Sequence, residues 1–138
     1  MNKNKLYRLL SMLLLTTLSV VLLVGCAAKL PEGFDEAEVK AAAENVISML
    51  GQADSDGLKA LMTDEMNAAL TEDVMAQIFA MVAAAGPFQE ISEMRTGGST
   101  QNEITYAVVV AKAKYEKSEI TYTISFDSDM KLAGLFLK

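Results

Sequence analysis

The chain has 138 residues, of which 51% are apolar, 18 are acidic and 12 are basic, for a formal net charge of −6. Its length fits a single domain, and without a basic excess the chain is unsuited to binding nucleic acid. One cysteine and no histidine exclude an internal disulfide and remove the commonest general base and transition-metal ligand.

The first 25 residues have the composition of an export signal. Their basic side chains are Lys3, Lys5 and Arg8, they contain no acidic one, and the 16 residues 9–24 carry no charge. A basic start followed by an apolar stretch and small residues is typical of a secretory signal peptide, and this stretch is shorter than the ~20 residues of a permanent membrane-spanning helix. The remaining 113 residues hold 9 basic and 18 acidic side chains, so the exported part has a net charge of −9.

The signal ends in a motif that resembles the bacterial lipobox. Its four residues are Leu23, Val24, Gly25 and Cys26. In a lipobox the cysteine sulfur receives a diacylglyceryl group and the signal peptidase cuts just before the cysteine, so we expect Cys26 to be a lipid attachment site. The alternatives are an uncleaved signal anchor and an ordinary leader with a chance cysteine. A catalytic role is disfavoured because no histidine exists to activate the thiol.

These features predict a lipoprotein signal peptide (1–25), a lipidated tether (26–34) and a single domain (35–138). We expect the domain to lie on the extracytoplasmic face of a bacterial membrane, held there by the lipid on Cys26. At ~3.5 Å per residue, the tether residues 27–33 reach about 25 Å, which keeps the domain close to the membrane. The net charge of −9 should repel anionic headgroups and hold the domain off the surface.

The first part of the domain has the apolar period of α-helices. Residues 39–50 place apolar side chains on one stripe, Asp35 with Glu38 suits an N-cap, and Gly51 suits the end of the helix. A second, shorter helix is predicted over residues 55–62.

Residues 63–85 form a further helical region. They are either one helix or two helices with a bend, because Thr63 and Thr71 both suit N-caps, and Gly86-Pro87 ends the region. The apolar stripe predicted for this region consists of Met66, Leu70, Val74, Ile78, Met81, Val82 and Ala85.

After Pro87 the apolar period changes to two, which indicates strands. The predicted strands are 88–96, 104–117, 120–126 and 131–137. Gly97-Gly98 closes the first of them, and residues 127–129 form a tight turn before the last. Helices followed by strands with short connections predict an α+β fold, with N-terminal helices packed on one face of a curved antiparallel sheet of about four strands.

Several segments of the domain resemble a known bacterial family. They are the helix with Leu58, Leu61 and Met62, the junction Gly86-Pro87-Phe88, and the closing segments Ser125-Phe126-Asp127 and Lys131-Leu132-Ala133-Gly134-Leu135. Over about residues 36–138 the chain resembles the bacterial lipoprotein family of domain of unknown function 3887. The resemblance implies the nuclear-transport-factor-2-like (cystatin-like) cone fold and a place on the cell membrane of a Gram-positive bacterium. It transfers no catalytic residue.

A cone of this kind encloses a pocket between its sheet and its helices, and such pockets are usual ligand sites. The predicted lining residues are Phe79, Met81, Tyr106, Tyr122 and Phe126. An isomerase-like site would pair a tyrosine with a carboxyl group. No acidic residue shares the strand faces of Tyr106 and Tyr122 within the clean alternation, which favours core roles for both.

Two acidic clusters could suggest calcium. The segment 54–57 looks like the start of a calcium loop but lacks the later oxygen ligands. An N-cap at Asp54 and a hairpin turn at Asp127 explain the clusters better. We therefore expect no metal and no cofactor.

Three classes of function follow. The first is a non-catalytic binding or interaction domain for a small apolar ligand, a peptide or a second copy of the chain. The second is a small cone-pocket enzyme, isomerase- or dehydratase-like, and the third is a structural accessory in envelope assembly. We favour the first. A homodimer would use the sheet face, on which Lys112 and Lys114 accompany Val108 and Val110, so that this face is apolar only in part.

Overall fold

Four helices precede four strands along residues 29–138, the part of the chain that the computed structural model describes. The helices are α1 (Glu36–Gly51), α2 (Ser55–Leu61), α3 (Asp64–Ala69) and α4 (Glu72–Ala84). The strands are β1 (Phe88–Gln101), β2 (Ile104–Tyr115), β3 (Glu119–Phe126) and β4 (Leu132–Leu137). They form one open antiparallel sheet in the order β1-β2-β3-β4. The predicted α+β class is confirmed.

The predicted signal peptide and Cys26 lie outside the described residues. Within residues 29–138, no helix has both the length and the apolar content needed to cross a membrane.

Each helix begins at a side chain that accepts a hydrogen bond from its first turn. Asp35 accepts from the backbone N–H of Glu38 at 2.9 Å, and Asp54 caps α2 in the same way. Thr63 and Thr71 cap α3 and α4. Because both threonines act as N-caps, the region after Thr63 is two helices and not one.

The break before Thr71 also changes which side chains of the region are buried. Val74 and Met81 belong to the stripe that the sequence predicts, but they are 38% and 49% exposed. Val82 of the same stripe is buried as predicted, and Met75, which lies outside the stripe, is buried as well. The reason is that a continuous 3.6-residue period cannot be carried through a break, since the second helix starts with its own rotation.

The core lies between the helices and one face of the sheet. Its largest fully buried side chains are Tyr122, Phe126, Leu50, Leu58, Met75, Ile124 and Leu132. The alternation predicted for β3 is confirmed, because every second residue from Ile120 to Phe126 is buried. The buried residues of β2 are Ala107, Val109, Ala111, Ala113 and Tyr115.

β1 is longer than the sequence predicts. Gly97 and Gly98, expected to close it, remain paired with Val108 and Ala107, and the strand continues to Gln101. Glycine therefore does not end this strand, because the ladder to β2 holds its backbone in place. β2 ends at Tyr115 and not at residue 117.

The N-terminal segment of the described chain packs on the domain. Leu30 and Phe34 are partly buried against the core. A side chain at Gly98 would place its Cβ 2.6 Å from Cγ of Pro31 and 3.0 Å from the carbonyl oxygen of Lys29, so glycine leaves the room that this segment needs. Residues 30–34, which the sequence assigns to the tether, thus lie on the folded body.

Candidate functional site

The face of the sheet turned away from the helices, here called the open face, carries a groove of about 580 Å³. Side chains alternate between the two faces of a strand, so burial of Ala107 and Val109 against the helices turns Val108 and Val110 toward the groove. The main residues along its floor are Val108, Val110, Thr121, Thr123 and Ser125. As predicted, Lys112 shares this face with Val108 and Val110.

The floor of the groove lies close to the backbone along one row of small residues that crosses all four strands. Val108 pairs with Gly97 on one side and with Ser125 on the other, and Ser125 pairs with Gly134. A Cβ at Gly134 would stand 3.3 Å from Cβ and Oγ of Ser125. Gly97 and Gly134, at the two ends of this row, add no side chain to the open face.

The next row across the sheet has large side chains on its two edge strands. Arg95 pairs with Val110, Val110 with Thr123, and Thr123 with Phe136. Phe136 is 60% exposed, although a large apolar side chain normally gains free energy by leaving water. An arginine and an exposed aromatic ring thus stand on opposite edge strands of the open face.

A group of charges borders the β1 side of the groove. Glu93 contacts Arg95, and its carboxylate lies 3.3 Å from Nζ of Lys112. The hydrogen bond from Lys112, followed by that from Arg95, holds the pKa of Glu93 below its usual value. Glu90 and Lys114 form a further pair at 3.4 Å on the same strands. The border of the groove therefore presents both signs of charge.

The two layers of the domain differ strongly in charge. Residues 29–86, which contain the helices, hold 11 acidic and 3 basic side chains. Residues 87–138, which contain the sheet, hold 7 acidic and 6 basic side chains. The acidic character of residues 29–138 thus belongs to the helical layer, and the sheet is close to neutral.

A second groove, of about 460 Å³, lies on the helical side where α1 and α4 meet the start of β1. Its apolar lining includes Ile47, Val82, Ile91 and Phe88. The Phe88 ring packs edge-on against Tyr115, with the ring centroids 5.7 Å apart. This groove therefore ends on an aromatic pair that connects it to the core.

Behind that pair, two tyrosine hydroxyls meet in the core. The phenol oxygens of Tyr115 and Tyr122 are 2.6 Å apart, and both side chains are buried. Burial raises the pKa of both phenols above the usual value. Tyr122 meets another tyrosine and not the carboxyl group that an acid–base site requires, and no charged side chain is buried within residues 29–138.

The structure does not gather the five predicted pocket residues at one site. Tyr122 and Phe126 are core residues, and Phe79 packs against the edge of the core. Tyr106 lies on the open face, since it pairs with Ser99 one residue before buried Ala107. Met81 is on the outer side of α4.

The two acidic clusters have local roles. Asp54 caps α2, and Oδ1 of Asp127 accepts hydrogen bonds from the backbone N–H groups of Asp129 and Lys131. In the described part of the chain, no three histidine, cysteine, aspartate or glutamate side chains are grouped to hold a metal ion.

Sequence reasoning did not identify the charged border and the glycine-ended row of the groove. The signal for them was present in β1, where Glu93, Arg95 and Gly97 fall at every second position and so share one face of the strand. It was missed because a strand ending before Gly97 would leave that glycine outside the sheet.

Comparison with known proteins adds a family and a fold. The family described as "Protein of unknown function (DUF3887)" matches residues 43–135. An NMR structure of a protein from Ruminococcus gnavus ATCC 29149 is similar to this one, with a TM-score of 0.71 and 27% sequence identity. That similarity covers 78% of this chain and 95% of the other. No curated protein matches the chain.

Proposed function

Since the chain belongs to the DUF3887 family of proteins of unknown function, we propose a function from its leader and its open face. The chain is an exported bacterial lipoprotein, anchored by the lipid on Cys26 to the extracytoplasmic face of the membrane. Its domain is a non-catalytic interaction module, which binds a second copy of the same chain through the open face. We further place the domain with the nuclear-transport-factor-2-like cones, because the helices pack on one face of the sheet.

The observation that carries the interaction role is the open face itself. Its groove of about 580 Å³ is lined by small residues and paired charges, and the 60% exposed Phe136 stands on the same face of the sheet. Small-molecule sites bury most of the ligand surface, whereas this groove is open along the face of the sheet. A protein surface is therefore a better occupant than a small molecule.

Charge favours a second copy as that occupant. A two-fold interface brings the same patch together from both subunits, so the patch must complement itself. The charged border of the groove can complement itself because it carries both signs. Glu93 of one copy can approach Arg95 or Lys112 of the other. The helical layer, with 11 acidic against 3 basic side chains, would repel its own copy.

Support for the membrane anchor comes from the leader. The basic start, the 16 uncharged residues and the four residues ending in Cys26 follow the lipoprotein order. Several acyl chains on one cysteine hold a protein on a bilayer far more firmly than one chain does.

The self-association is tested by sedimentation velocity on the domain freed of its leader. We expect a dimer, and we expect Val108→Glu to make it monomeric because the new carboxylate would be buried at the centre of the interface. Val74→Glu is the matched control, since Val74 is 38% exposed on the helical layer, and it should leave the dimer intact. A wild-type domain that is monomeric at all concentrations would contradict the second copy as partner.

Lipid attachment is tested separately by labelling cells with a radioactive fatty acid. The wild-type chain should incorporate the label, and Cys26→Ser should accumulate as unlabelled precursor. Labelling that persists in Cys26→Ser would rule out this attachment site.

A further inference from the structure

The β1–β2 hairpin forms one end of the domain and carries an exposed apolar side chain. Gln101 and Ile104 are its last pair, joined by Asn102 and Glu103. These two turn residues have φ values of 50° and 66°, the left-handed backbone of a tight two-residue hairpin turn. The Ile104 side chain is 52% exposed at the tip.

The start of the described chain lies close to this hairpin end. The carbonyl oxygen of Lys29 is 3.0 Å from the Cβ position of Gly98, and Pro31 packs over the same glycine. Gly98 is three residues before Gln101, so at ~3.3 Å per residue it lies about 10 Å from the turn. The chain therefore enters the fold beside the hairpin tip.

The distance from Cys26 to this entry point is limited by the covalent chain. Only three residue steps separate Cys26 from Lys29, and three steps of extended chain span at most about 11 Å. This is less than half of the ~25 Å that a free tether of residues 27–33 would span. A lipid on Cys26 must hold Gly98 and its surroundings next to the bilayer.

We propose that the β1–β2 hairpin end is the membrane-facing end of the domain, with Ile104 in contact with the lipid headgroup layer. This proposal rests on the proposed lipid attachment at Cys26. The headgroup layer of one leaflet is about 5–8 Å thick, comparable to the reach of the link. The other end of the hairpin, at Phe88, is ten residues from Gly98 along β1. It therefore lies about 30 Å from Gly98, on the side of the domain away from the membrane.

Acidic residues near the hairpin end limit how deeply it enters the headgroup layer. The N-terminus of α1 lies at the same end, since Glu36 accepts a hydrogen bond from Thr96 at 3.4 Å. The nearby acidic residues Glu32, Asp35, Glu36 and Glu38 outnumber Lys29 and Lys40. Anionic lipids repel such a cluster, so the hairpin should lie closer to phosphatidylcholine bilayers than to phosphatidylglycerol bilayers.

A single tryptophan provides the test, because the chain contains none. Ile104→Trp and the control Phe88→Trp place an indole at opposite ends of the hairpin, and both parent residues are 52% exposed. The full lipidated chain is reconstituted in phosphatidylcholine vesicles that contain a headgroup-spin-labelled lipid. We expect the indole of Ile104→Trp to be quenched about threefold more than that of Phe88→Trp, because only the former reaches the headgroup layer.

Co-sedimentation with the vesicles separates the two ways in which the test can fail. A chain that sediments with the vesicles but shows equal quenching in both variants overturns the orientation and leaves the lipid anchor standing. A wild-type chain that does not sediment overturns the anchor and the orientation with it. A flexible glycine-serine insertion of about ten residues between Cys26 and Lys29 should reduce the difference in quenching without reducing sedimentation. A difference that survives this insertion overturns the role of the short link.

Discussion

The phenol oxygens of Tyr115 and Tyr122 lie 2.6 Å apart in the core, on neighbouring strands of the sheet. Tyr122 is fully buried and Tyr115 is 5% exposed. A buried hydroxyl without a partner costs free energy, and this pair allows two polar groups to be buried together beneath the helical-side groove. The relationship makes the pair a structural element of the core and leads to two predictions.

Tyr122→Phe should lower the free energy of unfolding by about 1–2 kcal/mol, because it leaves the Tyr115 hydroxyl buried without its partner. Urea denaturation followed by circular dichroism measures the change. Tyr106→Phe, on the open face, is the control and should have little effect on the denaturation midpoint.

The double variant Tyr115→Phe/Tyr122→Phe sharpens this test. Replacing both hydroxyls leaves no unpaired group, so the loss should be smaller than the sum of the losses in the two single variants. A loss equal to that sum would show that the hydrogen bond between the hydroxyls does not stabilise the domain.

The same pair predicts a loss of stability in alkali. Burial holds the pKa of Tyr115 and Tyr122 above the usual value, whereas in the unfolded chain both ionise near pH ~10. Their contribution is therefore complete below pH ~10 and is lost as the pH rises from there toward the folded-state pKa. Melting temperature against pH, with phenolate absorbance in parallel, measures this. The double phenylalanine variant should lose less stability over the same range.

Gly98→Ala should displace the N-terminal segment from the domain. Its new Cβ would stand 2.6 Å from Cγ of Pro31, a distance that real side chains do not tolerate. We expect a loss of about 1–2 kcal/mol of stability and faster tryptic cleavage after Lys29. Gly51→Ala is the matched control because nothing lies within 4 Å of its Cβ position. Equal cleavage rates in the two variants would contradict the packing of Pro31 on Gly98.

Lys112→Met should raise the pKa of Glu93 toward its ordinary value. The hydrogen bond from Lys112 is the largest cause of the lowered pKa, and Arg95 maintains part of the effect. Titration of the side-chain carboxyl by NMR measures the change. Lys114→Met, which removes the partner of Glu90, is the control and should leave the Glu93 titration unchanged.

The lowered pKa of Glu93 also determines the direction in which its ion pairs respond to pH. A carboxyl group whose pKa is depressed by its partners keeps those contacts at neutral pH and loses them as the pH falls through its folded-state value. The proposed dimer, in which Glu93 pairs with Arg95 or Lys112 of the other copy, should therefore weaken only as the pH falls below the ordinary glutamate pKa of ~4.3. A dimer that dissociates only on raising the pH would contradict a role for Glu93 in the interface.

Local patterns determined much of the fold from the sequence alone. The N-caps at Asp35, Asp54, Thr63 and Thr71 are hydrogen bonds to a backbone group three residues away, so they depend on nothing distant. The alternation of β3 needed only a period of two, because its outward residues are threonine and serine. The order of helices before strands then left the α+β class as the natural arrangement.

The tertiary structure alone decided how these elements share their faces. β2 is apolar on both sides, so its period cannot choose between Val108 and Val109, and pairing of Val109 with Ile124 makes that choice. Gly97 and Gly98 remain in a strand because β2 pairs with them, a contact that no local pattern reports. The predicted pocket residues were separated for the same reason, since Tyr106 and Tyr122 lie on opposite faces of one sheet.

The N-terminal boundary of the domain shows the division most clearly. By sequence, residues 26–34 are a short tether after a lipid site, and Pro31 looks like part of a linker. In the fold, burial of Leu30 and Phe34 against the core offsets the entropy that a free tether would keep, and Pro31 between them packs where Gly98 has no side chain. The proposed anchor thus rests on a local motif of the sequence, while the distance from that anchor to the domain depends on a long-range contact.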